Sequence, residues 1–269
     1  MNSIRTVLPL MVTAVLVASS GCRPAAVPVL ETLPAVTVLT VREENAALRY
    51  SVDVEYPQLS GRVPGDVEQK INTAIADMVL ADIAGVRENA QADAAWAEQN
   101  PDGDTSVTLD QSSMMRAEFE IPYLAADMVS VRIRFDSYTA GAAHGMTYTR
   151  VLNARLTDGV TLETADLFVD AQAGLDLLSR LCAEDLKRQY GPDYEALKTF
   201  VEDGTSPVPD NFRSVALEPG WIVVSFDPYQ VGPYASGPRE VRIAVADMGT
   251  TLAITVSPDA FILTRGTGG

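Results

Sequence analysis

The 269-residue chain carries 20 Lys and Arg against 36 Asp and Glu, a net charge of −16, with one histidine and two cysteines. Such an excess of carboxylates excludes nucleic acid as a partner, because phosphates are held by Lys and Arg. A hydrophobic content of 47% belongs to a folded protein rather than a disordered acidic tail, and a single histidine leaves too few ligands for the usual zinc sites, so no metal and no cofactor is expected.

The chain opens with a basic residue, Arg5, and an apolar run from Val7 to Ala18. That run is shorter than the ~20 residues a membrane span requires, so residues 1–21 are expected to be a signal peptide. The small residues Ser19-Ser20-Gly21 before Cys22 resemble the lipobox of bacterial lipoproteins, in which the cysteine thiol carries the lipid; Ser19 stands where an aliphatic residue is usual. An ordinary signal peptide with an incidental cysteine is the alternative. Arg23, rather than Asp, follows Cys22, which favours the periplasmic or outer-membrane face of the envelope. Residues 22–35 then form a Pro/Ala tether. Removing residues 1–21 takes away Arg5 alone and leaves 19 basic against 36 acidic side chains, a net −17.

Val36–Val41 and Leu48–Tyr56 alternate and predict a hairpin, with a turn at Glu43-Glu44-Asn45 and an end at Pro57. Val67, Ile71, Ile75, Met78, Ile83 and Val86 predict one long helix opened by Pro64 and extended through the Ala-rich segment 90–98. Asn100-Pro101-Asp102-Gly103-Asp104 must end it; its spacing fails the calcium-loop pattern, and a polar loop is expected. Strands follow at 116–121, 129–135 and 146–156, closed by Asp158-Gly159. Two helices at 171–190 and 193–201 are separated by Gly191-Pro192. Leu175, Leu178, Leu181 and Leu186 flank Cys182 at helical spacing, so this thiol is expected in a core. Strands at 211–217, 221–226 and 239–246 complete the chain, with a tail from Thr264. The fold class is α+β, antiparallel β-sheets with one long N-terminal helix and two shorter central helices. A subdomain at 36–125 and a second domain at 126–263 are expected.

His144 lies in a small-residue turn, Tyr138 to Gly145, where three readings stay open: a structural histidine locking the turn, a ligand contact, or an acid/base group. No Gly-x-Ser-x-Gly elbow supplies a nucleophile for it. Asp227 to Gly237 holds Tyr229 and Tyr234 on a stiff Pro/Gly loop, where the rings either form a binding surface or fold back as core.

Tyr138-to-His144, Asp166-Leu167-Phe168 and the Phe226-to-Gly237 loop together resemble the RsiV-like extracellular domain family. Tyr56-Pro57-Gln58-Leu59 with Ile71-Asn72 resembles the companion domain that precedes it. In the first motif Ala142 replaces a glycine. The resemblance spans roughly Val36 to Met248. It implies a module found in a lysozyme-binding membrane anti-sigma factor and beside peptidoglycan deacetylase domains. This sequence has neither a sigma-binding segment nor deacetylase metal ligands, so the implied protein is the module alone, held on a lipid bilayer through Cys22. Its expected partners are a cationic protein such as lysozyme, or peptidoglycan. The expected ligand-binding residues are Tyr138, His144, Asp227, Tyr229 and Tyr234, with no catalytic residue assigned. A wall hydrolase and a structural envelope lipoprotein are the alternatives.

Overall fold

A computed structural model describes residues 33–100 and 111–264. The leader, Cys22, the tether as far as residue 32, most of the acidic loop after Asn100 and the tail from residue 265 lie outside the described residues. The chain order is β1 (Ala35–Asn45), β2 (Tyr50–Ser60), α1 (Gly65–Gln99), β3 (Ser113–Leu124), β4 (Met128–Tyr138), β5 (Met146–Arg155), β6 (Thr161–Leu162), α2 (Ala171–Tyr190), α3 (Tyr194–Gly204), β7 (Val215–Glu218), β8 (Trp221–Phe226), β9 (Arg239–Ala244) and β10 (Phe261–Thr264). The fold is α+β. The long helix is not N-terminal, as expected from sequence, but follows the first hairpin. Among the described residues no helix is long and apolar enough to cross a membrane.

Strands β1 to β6 form one sheet in chain order, with β10 added to β3, while β7-β8-β9 form a second sheet. All pairs are antiparallel except β2 and β3, which run parallel over Tyr50–Val54 and Ser113–Ala117. A parallel pair needs a crossover, and α1 supplies it. The first hairpin turns at residues 46–49 rather than at 43–45, and β1 runs on to Asn45. Pro57 does not end β2. The Leu59 N–H, two residues on and so pointing the same way, leaves the sheet to meet Asn72 Oδ1 at 2.8 Å on α1. The missing N–H of Pro57 therefore falls on a free edge and removes no ladder bond. Asn72 also donates to the Leu59 carbonyl at 2.8 Å, so one amide side chain replaces a neighbouring strand there.

Val67, Ile71, Ile75, Val79 and Ile83 recur every fourth residue and are buried, while Met78 and Val86 flank the stripe half-buried. Against them pack Met115, Ala117, Val129, Val131, Ile133 and Phe135 from β3 and β4. A bulge between Glu120 and Tyr123 reverses the alternation, so Tyr123 joins the core on the opposite face while Ile121 and Leu124 stay in the first. β3 also presents one edge to two strands in succession: β2 pairs with its first half, and β10 pairs with Glu120–Leu124. β10 was not anticipated from sequence.

The second face is covered by the small sheet and by α2. Leu167, Leu175, Leu178, Cys182 and Leu186 form this core with Phe212, Ile222, Val224 and Phe226. Cys182 is fully buried, and burial pushes its thiol pKa up. β7 is an outer strand whose free backbone groups are met by side chains of the large sheet: the Leu217 N–H donates to Ser130 Oγ at 3.2 Å and Asn153 Nδ2 donates to the Val215 carbonyl at 2.8 Å. Arg132 joins the sheets, pairing with Glu120 of β3, Glu218 of β7 and Glu240 of β9. β7 starts at Val215, later than expected, because Pro209–Phe212 forms a helical turn; β9 stops at Ala244 before another at Val245–Met248. Residues 125 and 126 lie in the turn between the paired strands β3 and β4.

Candidate functional site

The β4–β5 loop meets the loop that follows β8. The His144 ring stacks on Tyr234, with centroids 3.6 Å apart and planes 20° from parallel. Its Nδ1 lies 3.0 Å from the Gly145 carbonyl, and its Nε2 lies 3.1 Å from the Tyr229 hydroxyl. A carbonyl only accepts, so Nδ1 carries a hydrogen; in the neutral ring Nε2 then accepts from Tyr229, an assignment made from the hydrogen-bond network. Tyr234 Oη donates to the same Gly145 carbonyl at 2.9 Å. A Cβ at Gly145 would come within 2.9 Å of the Ser137 carbonyl oxygen, so a glycine is required for the loop to close this tightly. Tyr229 sits at φ 72°, a left-handed backbone that is costly for an aromatic residue and persists only when its surroundings hold it.

Those surroundings are polar. Asp227 Oδ1 accepts the Thr149 N–H at 2.9 Å, and Ser214 Oγ donates to the Thr149 carbonyl at 2.7 Å. β6 pairs with Asn153 and Ala154, and the Arg155 N–H meets the Val160 carbonyl, so the part of that edge before Asn153 has no strand beside it among the described residues, and the Asp227 and Ser214 side chains close it at Thr149. Burial pushes the Asp227 carboxyl pKa up, opposed by the Thr149 N–H and by Arg150. Gln230 donates to the carbonyls of Asn211 at 2.9 Å and Gly204 at 3.2 Å, and Tyr190 donates to the Val231 carbonyl at 3.0 Å.

Of the five residues expected to bind ligand, His144, Tyr229 and Tyr234 come together on the surface, with Tyr229 50% exposed. Asp227 anchors their loop. Tyr138 faces elsewhere: its hydroxyl lies between the Gln111 side-chain carbonyl and the Ala142 carbonyl, the latter at 3.2 Å. It lines a cleft of about 240 Å³ between α1 and the ends of β3 to β5, beside Asp82, Asn89 and Tyr148. Tyr148 donates to Asp82 at 3.0 Å, and Arg150 lies 4.7 Å from the Tyr148 ring centroid and 3.5 Å from Asp82. Burial, and then the Asp82 charge, push the Tyr148 pKa up. Gln111, Ser214 and Gln230 hold the loops in place and were missed in the sequence, where an isolated polar residue carries no periodic signal.

The described partners of the His144 ring nitrogens are a carbonyl and a phenol, whereas a hydrolytic triad places a nucleophile on one ring nitrogen and an orienting carboxylate on the other. Two tyrosines and an imidazole, held rigid at the surface, offer flat apolar faces with polar edges.

The comparisons with known proteins agree on the fold. A DUF3298 family protein from Bacteroides fragilis superposes with a TM-score of 0.62 at 19% identity, over 83% of this chain and 95% of that one. A DUF3298 family protein from Pseudomonas aeruginosa gives 0.54 at 16% identity, over 84% and 97%. Residues 165–246 match the family described as "Protein of unknown function (DUF3298)". That match contains Tyr229 and Tyr234 but begins beyond His144. The peptidoglycan-N-acetylmuramic acid deacetylase PdaC of Bacillus subtilis is 26% identical over 129 residues, 48% of this chain. The shared segment spans only 27% of that enzyme's length.

Proposed function

We propose that this protein is an exported lipoprotein, anchored through Cys22, whose RsiV-like module binds cell-wall glycan on the His144–Tyr229–Tyr234 surface. The stacked, half-exposed ring cluster carries this reading, because flat apolar faces with hydroxyl edges suit the amphipathic faces of linked sugar rings. The similarity of part of the chain to part of a peptidoglycan deacetylase supports the same ligand class. The test is co-sedimentation of the purified chain with insoluble peptidoglycan sacculi. Tyr234→Ala removes the stack on His144 and should weaken retention about tenfold; retention unchanged in Tyr234→Ala and Tyr229→Ala variants would overturn the reading. Export is tested separately: Cys22→Ser should abolish acyl labelling and release the protein from the membrane fraction.

The net charge favours a second ligand, a cationic protein such as lysozyme, since opposite charge speeds encounter. Calorimetry against lysozyme at low and at physiological salt tests it: this reading requires binding to the cationic protein that weakens steeply with salt, and no binding at low salt overturns it.

A further inference from the structure

We propose, building on the glycan reading, that the ring cluster is one end of a longer track that holds several consecutive units of a linear glycan. The β4–β5 loop links three surfaces. Its His144 belongs to the ring cluster; Tyr138 and Thr139, entering it, line the cleft beside Asp82; and Ala140 lines a second cleft of about 70 Å³ beside Trp96. Ser113, at the start of β3, borders both clefts.

The two clefts follow one another along α1. Residues 81–89 of the helix wall the first and residues 90–97 wall the second, without a gap. At 1.5 Å of rise per residue this is about 24 Å of groove from Ala81 to Ala97. Neither cleft reaches the roughly 300 Å³ at the lower end of pockets that enclose a whole small ligand, so each suits one part of an extended molecule lying along the surface. Both linings mix apolar and polar side chains: Ala81 with Asn89 and Asp82 in the first, Ala90 and Ala94 with Asp93 in the second. Trp96, 52% exposed, lines the second cleft beside the β1–β2 turn, whereas the Tyr229 loop is held on β5 across the sheet, so an aromatic ring stands towards each side of the track. A ligand with alternating apolar faces and hydroxyl or amide rims, repeated at a fixed interval, matches this disposition. Linking its units makes each further contact intramolecular, so affinity climbs with length until the track is filled.

The experiment titrates the full purified chain with peptide-free glycan strands released from sacculi and sorted by length, from the disaccharide to the decasaccharide. The dissociation constant is expected to fall at least tenfold from the shortest to the longest strand. Trp96→Ala, a change at an exposed position, should erase most of that gain while leaving disaccharide binding intact; Asn89→Ala should erase part of it. Equal affinity for all lengths, or a length gain untouched by Trp96→Ala, overturns the track, and the ring-cluster reading survives if short strands still bind in a Tyr234-dependent way. Failure of every length to bind overturns both.

Discussion

The two faces of the large sheet are covered by different means. On one, α1 lays a four-residue repeat of Val and Ile onto Val129, Val131, Ile133 and Phe135, and the contact is almost wholly apolar. On the other, the outer strand β7 approaches with its backbone, and the sheet answers with Ser130, Arg132 and Asn153. A helix has no free backbone groups along its side and asks only for apolar surface; a strand edge brings unpaired N–H and C=O groups and asks for partners. Where the sheet meets the edge of β7 it therefore carries buried polar side chains among the apolar ones.

The largest expected effect tests that contrast directly. Arg132→Met removes the cation shared by Glu120, Glu218 and Glu240, leaving only Glu218 with a second cationic partner among the described residues, Arg242 at 2.7 Å, and should cost about 3–5 kcal/mol in denaturant unfolding. A cost below that of an ordinary surface substitution would show that the second face is held by packing alone. Ile75→Ala on the helix side should cost about 2–5 kcal/mol through the cavity it opens, with the binding surface unchanged. Gly204→Ala sharpens the difference: a Cβ there would sit 2.0 Å from the Gln230 carbonyl oxygen. It should cost about 1–3 kcal/mol by overpacking and should also displace the Tyr229 loop, measured as weaker glycan binding.

Asp227 gives a pH-dependent test. Its pKa is raised in the fold, so the folded state disfavours the ionised form and burying the charge costs stability once the pH is above the folded-state value. That cost disappears as the pH falls below the ordinary Asp range, where both states are protonated. Asp227→Asn keeps an acceptor for the Thr149 N–H without the charge, and should equal or exceed the parent stability at neutral pH by up to about 1 kcal/mol, the advantage vanishing in acid. Asp227→Ala strands the Thr149 N–H and should cost about 1–3 kcal/mol. The smallest effect is expected at Glu43, whose carboxylate binds Arg87 of α1 and is held below its ordinary pKa by that hydrogen bond. Glu43→Gln should cost about 1 kcal/mol or less, a loss that fades as acid protonates Glu43 in the parent protein.

The contrast also decides what could be read in advance. The hairpin, α1 and the bounds of α2 follow from periodicity and from Gly191-Pro192, because those elements need only apolar spacing. The segment Val129 to Phe135 misleads: its clean alternation marks one buried face, yet Ser130 is fully buried and only 13% of the Arg132 side chain is exposed. Nothing local tells a polar residue in water from one that caps a strand edge. β10 was missed for a related reason, since a four-residue strand is defined by the edge it fills, and that edge was created by β2 leaving β3 after Val54. At the site, the loop chemistry marked Tyr229, Tyr234 and His144 as unusual, but their stacking depends on Asp227 and Gln230 gripping distant backbone, which sequence spacing does not encode.

The way β3 shares its edge has a consequence for folding order. Phe261 to Thr264 pair with Glu120–Leu124 of β3, while the other half of that edge is taken by β2, far earlier in the chain. Closing the central strand therefore needs two partners from opposite ends of the described chain, and the later one can dock only on an edge that the earlier one has left free.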